Sequence, residues 1–547
     1  MGLLNLISFL GILGLCAIAW IFSEHRSPKY FPWRVVISGI ILQLGLGFLV
    51  FAFPPTRGAL EIFSALLNVI FSAADYGANF VFGSNLVPGE FQGRAPTSID
   101  LGYIFAFRAL PAVIFFSGLI GLLYNLGVMQ VVTNFFAKLF YKTMRLSGAE
   151  SLSGAANIFV GIEAAIAVKP FLASMTRSEL CAILACCFGT AASSTLAIYV
   201  SFLKPVFPNI LGHLVSASIM AIPACFLLSK ILVPETSVPV TAGGIPTDEK
   251  VLRAPNKSDA DATTVIDEDD EPIEIVGGEP MQRMSPLDAS IVGALDGVKM
   301  AVSIAAVLIL ILGFVYLINA LFAWLATLPG GVGGFFQVVT LQNILGALFL
   351  PLTVLTGVSL EWNELWESSV IIGRRLFETA IPPYRALAEA GGRELNPLSP
   401  RAVLIVSYAL SGFAHLASVG IFVGGTSALI PSRRKDVSEL GWKALFVGTL
   451  ATLMISCVAG IFYNPNNPSI LGTPTAPAVA PAPAAPAAPG APPTTPAGET
   501  PAPAGETPAP SPAPASPEAS PEATPSPEAS PTENPSVGSL PLASRRA

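Results

Sequence analysis

Three ionisable side chains interrupt stretches that are otherwise apolar. Glu163 lies in NIFVGIEAAIAVKPF, between Asn157 and Lys169; Glu378 lies in RRLFETAIPPY; His415, one of only three histidines, lies in SGFAHLASVGI. A charge at the centre of a bilayer costs about 2.5–3.5 kcal/mol or more, so each of these groups should face a wet cavity or a partner. Both glutamates stand beside helix breakers, Gly161 and Pro170 in the first case and Pro382-Pro383 in the second. Broken helices leave backbone N–H and C=O groups unpaired, and lipid cannot answer them; a ligand, an ion or water must. The chemistry this suggests is non-covalent: capture of a polar solute or ion, or passage of a proton. The plainer alternatives are a Glu163–Lys169 ion pair, a salt bridge from Arg374 or Arg375 to Glu378, and a core histidine with its hydrogen bonds satisfied. Ser193, Ser194 and Thr195 can bond back to their own helix carbonyls.

Those residues need a membrane scaffold, and the chain has the composition for one. Of 547 residues 52% are hydrophobic and 12% charged. Apolar runs near 2–21, 34–53, 104–127, 178–202, 208–233, 291–326, 340–360, 401–430 and 442–463 approach or exceed the ~20 residues that cross a bilayer. The first run has no basic leader and no small-residue cleavage motif, and reads as a retained span. Lys and Arg favour the cytoplasmic side. Arg26, Lys29 and Arg34 follow the first span, Lys138, Lys142 and Arg145 the third, and Arg433-Arg434-Lys435 precede the last, so both termini are expected outside. Residues 128–146 read as an interfacial helix, with Val128, Val132, Phe135, Phe136 and Leu139 on one face. The cysteines all fall in apolar segments, and Cys186 and Cys187 are adjacent, which argues for buried thiols over disulfides or a metal knot. No basic stripe suggests nucleic acid. No nucleophile–base pair, phosphate loop or metal cluster suggests an enzyme.

Organisation follows from composition. Residues 1–147 read as N-terminal scaffold helices with the interfacial helix, 148–233 as a first repeat, and 234–290 as an acidic, disordered cytoplasmic linker centred on Asp267-Glu268-Asp269-Asp270-Glu271. Residues 291–338 read as a scaffold helix and loop, 339–463 as a second repeat, and 464–547 as a Pro/Ala-rich disordered tail. Each repeat holds a Gly/Pro-interrupted segment, expected to form a re-entrant hairpin, followed by a helix with a Gly/Ala/Ser patch at its middle. An odd number of crossings separates them, which gives them opposite orientation, the inverted-repeat signature of secondary transporters.

An ordered block of motifs is similar to the concentrative nucleoside transporters: NIFVGIEAAIAVKPFLASMTRSEL, FGTAASSTLAIYV, LGALFLPLTVLTGVSLEWNELWESSVIIGRRL and SYALSGFAHLASVGIFVGGTSALIPSRRKDVSELGWKAL, within residues 30–463. The resemblance implies an all-α integral membrane protein of the elevator type, usually a trimer, with about eight transmembrane helices and two opposed re-entrant hairpins. In that family the first hairpin tip reads Gly-Gln-Thr-Glu; here it is Gly161-Ile162-Glu163. The second reads Asn-Glu-Phe-Val-Ala-Tyr; here Thr379-Ala380 stand first, with Glu378 ahead of them. The helix motif Gly-Phe-Ala-Asn-Phe-Ser-Ser becomes Gly412-Phe413-Ala414-His415-Leu416-Ala417-Ser418. By this resemblance Gly161, Glu163, Glu378, Thr379, Phe413, His415 and Ser418 contact substrate, while Asn157, Val160, Thr190 and Ala191 hold sodium. The expected activity is sodium-coupled symport of nucleosides across the cytoplasmic membrane. Exchanged donors should change what is bound, so one alternative is another polar solute on the same fold. Another is proton coupling through Glu163, Glu378 or His415, and a third is a sensor or envelope anchor on a transporter scaffold.

Overall fold

The computed structural model describes residues 2–53, 69–70, 72–83, 85–87, 104–243, 275–276, 279–280, 285–329, 331–336, 339–465 and 471. Most of the expected linker, nearly all of the expected tail and the side chain of Glu163 lie outside the described residues. The described chain is helical, apart from a two-residue antiparallel ladder that pairs Ile275–Val276 with Glu279–Pro280.

Helix α1 spans Leu3–Ile21 and α2 Trp33–Gly47, the latter continuing through a π turn to Ala52. After α3 (Leu110–Asn125) comes α4 (Val128–Met144), the helix expected at the interface. Its buried face is Met129, Thr133, Phe140 and Met144, while Val128, Val131 and Phe135 point outward. The apolar stripe is therefore split: one part packs on the protein and the rest is left for lipid or another subunit.

The segment expected as the first repeat opens with α5 (Gly148–Ala156), whose N-terminus carries a capping box between Ser147 and Glu150. The chain turns through Asn157–Gly161, passes along a 3-10 stretch, Ile162–Val168, and returns through one α turn, Lys169–Leu172. A second capping box, Thr176 with Glu179, starts α6 (Arg177–Gly189). Then come α7 (Ser193–Leu203) and α8 (Ile210–Leu232). Helix α9, Pro286–Ala326, has 41 residues, about 60 Å at 1.5 Å per residue, twice what a bilayer needs. It packs on α3 through small residues: a Cβ on Gly121 would lie 2.6 Å from the Ala289 carbonyl oxygen, and one on Gly293 2.6 Å from that of Ser117.

The segment expected to form the second repeat follows. It runs α10 (Leu341–Thr356), α11 (Trp362–Glu378), a two-residue tip, α12 (Ile381–Gly391), α13 (Pro400–Ala409), α14 (Leu416–Leu429) and α15 (Arg434–Phe462). Among the described residues six helices are long and apolar enough to cross a membrane, Leu3–Ile21, Trp33–Ala52, Phe105–Asn125, Ile210–Leu232, Pro286–Ala326 and Pro431–Phe462. Among these α8 and α15 are the buried centre. All six cysteines are buried, and none is joined in a disulfide among the described residues.

One expectation fails. The Gly/Ala/Ser patches do not lie within continuous helices, and His415 is not mid-helix. Thr190 and Ala192 are extended, which separates α6 from α7, and residues 410–415 separate α13 from α14. The physical reason is a close crossing of the two breaks. A Cβ on Gly412 would sit 2.7 Å from the carbonyl oxygens of both Phe188 and Gly189, and the Phe413 N–H donates to the Thr190 carbonyl at 3.2 Å. Small residues are there for backbone approach, and the freed polar groups answer one another.

Two ion networks tie the repeats down. Lys230 bridges Glu150 at 2.5 Å and Glu235 at 3.1 Å, while Ser147 Oγ donates to Glu179 at 2.6 Å. At the loop after α1, Glu24 accepts from Arg177 at 3.1 Å and from Lys443. Partial burial pushes the Glu24 carboxyl up, but the two cations outweigh it and hold the group below the usual carboxylate range.

Gly412→Ala should destabilise the protein by about 1–3 kcal/mol or more, because backbone oxygens cannot swing aside. Gly420, with nothing within 4 Å of its added Cβ, supplies the control. Thermal midpoints in one detergent should drop for Gly412→Ala and stay near the parent for Gly420→Ala; equal midpoints would contradict the close crossing.

Candidate functional site

A cavity of about 400 Å³ lies where the hairpin tips and helix breaks converge. Gly161 comes from the first tip and Thr379, Ala380 and Ile381 from the second; Ala192 and Thr195 come from the first break, and Phe413, His415 and Ser418 from the other. Helix α9 closes one side with Met300, Ser303, Ile304, Val307 and Leu308. The wall is mainly apolar, with hydroxyls and one imidazole as its polar points, the pattern of a small-molecule site.

Each polar point has a local origin. His415 is the N-cap of α14: its ring nitrogen accepts from the Ser418 N–H, and the Ser418 hydroxyl lies 3.0–3.1 Å from the imidazole nitrogens. Thr195 Oγ1 donates back to Ala192 O at 2.8 Å, the back-bond anticipated from its type, and still lines the cavity. Thr379 adopts φ 71°, ψ −178°, a region that favours glycine. Such backbone costs about 1–3 kcal/mol and persists only where the surroundings enforce it. Its hydroxyl is buried without a partner, a further cost of about 1–3 kcal/mol. Tyr199, also on the wall, stacks on Tyr384 of α12 with centroids 4.3 Å apart. Tyr384 in turn donates to Ser407 O at 2.7 Å.

The structure brings Gly161, Thr379, Phe413, His415 and Ser418 to one cavity and leaves Glu378 out of it. The Glu378 carboxylate accepts from Arg374 Nε at 2.9 Å and from Gln342 Nε2 at 3.0 Å, and its side chain is 1% exposed. The i,i+4 spacing of Arg374 and Glu378 already favoured that pair. Tyr199 and the α9 residues escaped notice because nothing in their local sequence marks them; the α9 row is simply one face of an apolar helix.

Of the four residues expected at an ion, Asn157 and Val160 lead into the first tip and Thr190 and Ala191 follow α6. Asn157 caps α5 and is fully buried; its Nδ2 donates to Ser153 O at 3.2 Å, which leaves Oδ1 buried with no partner. Val160 ends the turn, donating its N–H to Ala156 O. Thr190 caps α6, its hydroxyl donating to Cys186 O at 2.8 Å and keeping lone pairs to offer, and Ala191 is buried beside it. Cys187 Sγ approaches Gly161 O at 3.9 Å, which brings the end of α6 to the tip. An orphan amide oxygen at the end of α5 and a threonine hydroxyl at the end of α6 are the donor types a hard monovalent cation takes, and it benefits from the negative helix ends.

Comparison with known proteins agrees with this architecture. Residues 213–460 match the family model "Na+ dependent nucleoside transporter C-terminus", 10–85 the corresponding N-terminus, and 106–206 "Nucleoside recognition". An uncharacterized transporter of Haemophilus influenzae is 34% identical over 83% of this chain and 97% of its own length. Sodium/nucleoside cotransporter 1 of Rattus norvegicus is 31% identical over 84% of this chain and 64% of its own. Among solved structures, CNTnw in an inward-facing substrate-bound state has a TM-score of 0.68 and 33% identity, covering 84% of this chain and 98% of that one.

Thr379→Val removes the orphan hydroxyl and keeps the shape. The ligand-free protein should gain about 1 kcal/mol or more, read as a higher thermal midpoint. Any ligand that answers the hydroxyl should then produce a smaller midpoint shift. A midpoint at or below the parent's would mean that the hydroxyl is satisfied.

Proposed function

The chain belongs to the concentrative nucleoside transporter family of multi-pass membrane transporters, and from that premise we propose that it imports nucleosides across the cytoplasmic membrane by sodium symport. The observation that carries the reading is the meeting of both hairpin tips and both helix breaks at one cavity, with an unpartnered amide oxygen, that of Asn157, four residues before the first tip's Gly161.

In this reading residues 148–233 and 339–463 form the moving transport domain, and 1–147 with 291–338 the scaffold. The fold has about eight crossings plus two re-entrant hairpins, and both termini are extracytoplasmic. Three copies assemble through scaffold surfaces, for which the apolar outward rows of α9, with Val302, Ile309, Tyr316 and Leu317 all well exposed, are suited. The 234–290 linker stays cytoplasmic and the 464–547 tail outside.

A nucleobase would lie against Phe413 and the apolar wall, while Thr379, Ser418 and His415 would offer hydrogen bonds. Glu163 would contribute from the first tip. Sodium would be held by Asn157, the backbone at Val160 and Ala191, and Thr190; bound there, it supplies positive charge that neutralises the helix C-termini and couples tip closure to the gradient. The residues themselves do the rest: Asn157 turns its oxygen inward because Nδ2 is committed to Ser153, and Thr190 is fixed by its bond to Cys186.

A second reading, a less polar cargo on the same fold, is favoured by one fact: Glu378 is spent on Arg374 and Gln342 and does not reach the cavity. Proton coupling would instead use His415, Glu163 or Glu378.

The test is uptake of radiolabelled uridine and adenosine into proteoliposomes, with sodium or choline outside. Sodium-driven accumulation is expected, and Asn157→Ala should lower it at least tenfold together with the sodium-induced rise in thermal midpoint. Accumulation that ignores sodium but follows a proton gradient would replace the ion; failure of both solutes in folded protein would replace the cargo.

A further inference from the structure

Beside Arg374, which pairs with Glu378, its neighbour Arg375 turns into the protein and is 1% exposed. Its Nη1 donates to the carbonyl of Ala409 and, at 2.9 Å, to Thr452 Oγ1. Among the described residues it forms no ion pair. Nε and Nη2 are buried with no partner. A full positive charge thus stands in the transport domain, held only by neutral oxygens.

The two repeats make its position intelligible. In the first, the end of α5 and the end of α6 offer the Asn157 oxygen and the Thr190 hydroxyl at helix C-termini. In the second, the corresponding elements are α11, which carries Arg375 one turn before its end, and α13, whose last residue is Ala409. The acceptors on Arg375 are the carbonyl of Ala409, at the C-terminus of α13, and the hydroxyl of Thr452, within α15, neutral oxygens of the kind that suit a small cation. We propose that Arg375 is a built-in cation, filling in the second repeat the place that a bound ion takes in the first, so that one mobile cation completes the transport domain. The proposal rests on the sodium reading above for the identity of that mobile ion.

A purely structural clamp explains the facts less well. A side chain kept for its hydrogen bonds would use Nε and Nη2, and these two donors are left buried and unmet. A clamp also has no need of net charge, which is costly to bury without a counter-ion. The charge is what the site keeps.

The test uses the full chain in detergent, with thermal midpoints followed against sodium concentration at constant ionic strength with choline. Binding to the folded state raises stability by RT ln(1 + [L]/Kd) per site, so the slope at high sodium counts ions. The parent should show a one-ion slope. Arg375→Ala opens the oxygen cage: its midpoint should be low in choline and recover with about twice the parent slope, and low millimolar guanidinium should partly restore it. A lowered midpoint with an unchanged one-ion slope and no guanidinium effect would overturn the proposal. If Arg375→Ala does not fold, Arg375→Lys and Arg375→Gln decide: Lys, still charged, should stay near the parent, while Gln, neutral and polar, should fall well below it. Equal midpoints for Lys and Gln would overturn the proposal. A parent that ignores sodium would remove the sodium reading alone, and the Lys and Gln comparison in choline would still judge Arg375.

Discussion

The crossing of two broken helices is the constraint on which the rest depends. Interrupting α6–α7 and α13–α14 frees backbone groups deep in the fold, where lipid would leave them unmet. The chain meets part of that demand internally, through the Phe413 N–H on the Thr190 carbonyl, and part by contact so close that only glycine serves at 412. Everything functional is arranged around this point. Asn157 and Thr190 end α5 and α6, Arg375 lies near the end of α11 and bonds the carbonyl that ends α13, and both tips and both breaks line one cavity.

Buried polarity is divided between two duties. Some of it is self-contained: Lys230 closes on Glu150 and Glu235, Glu378 on Arg374 and Gln342, and Arg401 on Gly357 O, Asn5 and Ser8. Such groups position helices. Other buried atoms are left incomplete, some far from the tips, as at Gln43, Ser218 and Ser427, and some near them, at Asn157 Oδ1, Thr379 Oγ1 and two nitrogens of Arg375. Asn157, Thr379 and Arg375 lie at hairpin tips or within one turn of them. Native interiors satisfy nearly all such atoms, so each exception needs a reason, and at a re-entrant tip a ligand or an ion can supply it.

How much could be read from residues alone follows the same division. Hydropathy announced the spans, and Gly161, Pro170 and Pro382-Pro383 announced interruptions, because those signals are local. The breaks at Thr190 and His415 were visible only as small-residue patches; a patch records that backbone must approach, but not whether the helix continues past it. Which of two adjacent arginines would pair with Glu378 is a matter of helical phase, and 374 and 378 have the i,i+4 relation that 375 lacks. Tyr199, Met300 and the α9 wall carried no local mark, since they reach the cavity only through packing of distant segments.

The same comparison bears on specificity. A site selects strongly when its buried polar groups would be left unpaired by the wrong ligand. Here the described wall offers hydroxyls and an imidazole, while the carboxylate nearest the second tip faces away, neutralised by Arg374. Glu163 stands in sequence on the hairpin that also carries Asn157. Recognition and ion coupling would thus be concentrated on the first hairpin. The second contributes shape, through a strained Thr379, and fixed charge, through Arg375. Such asymmetry between inverted repeats is physically reasonable, because one mobile cation and one tethered one can balance the helix C-termini of both.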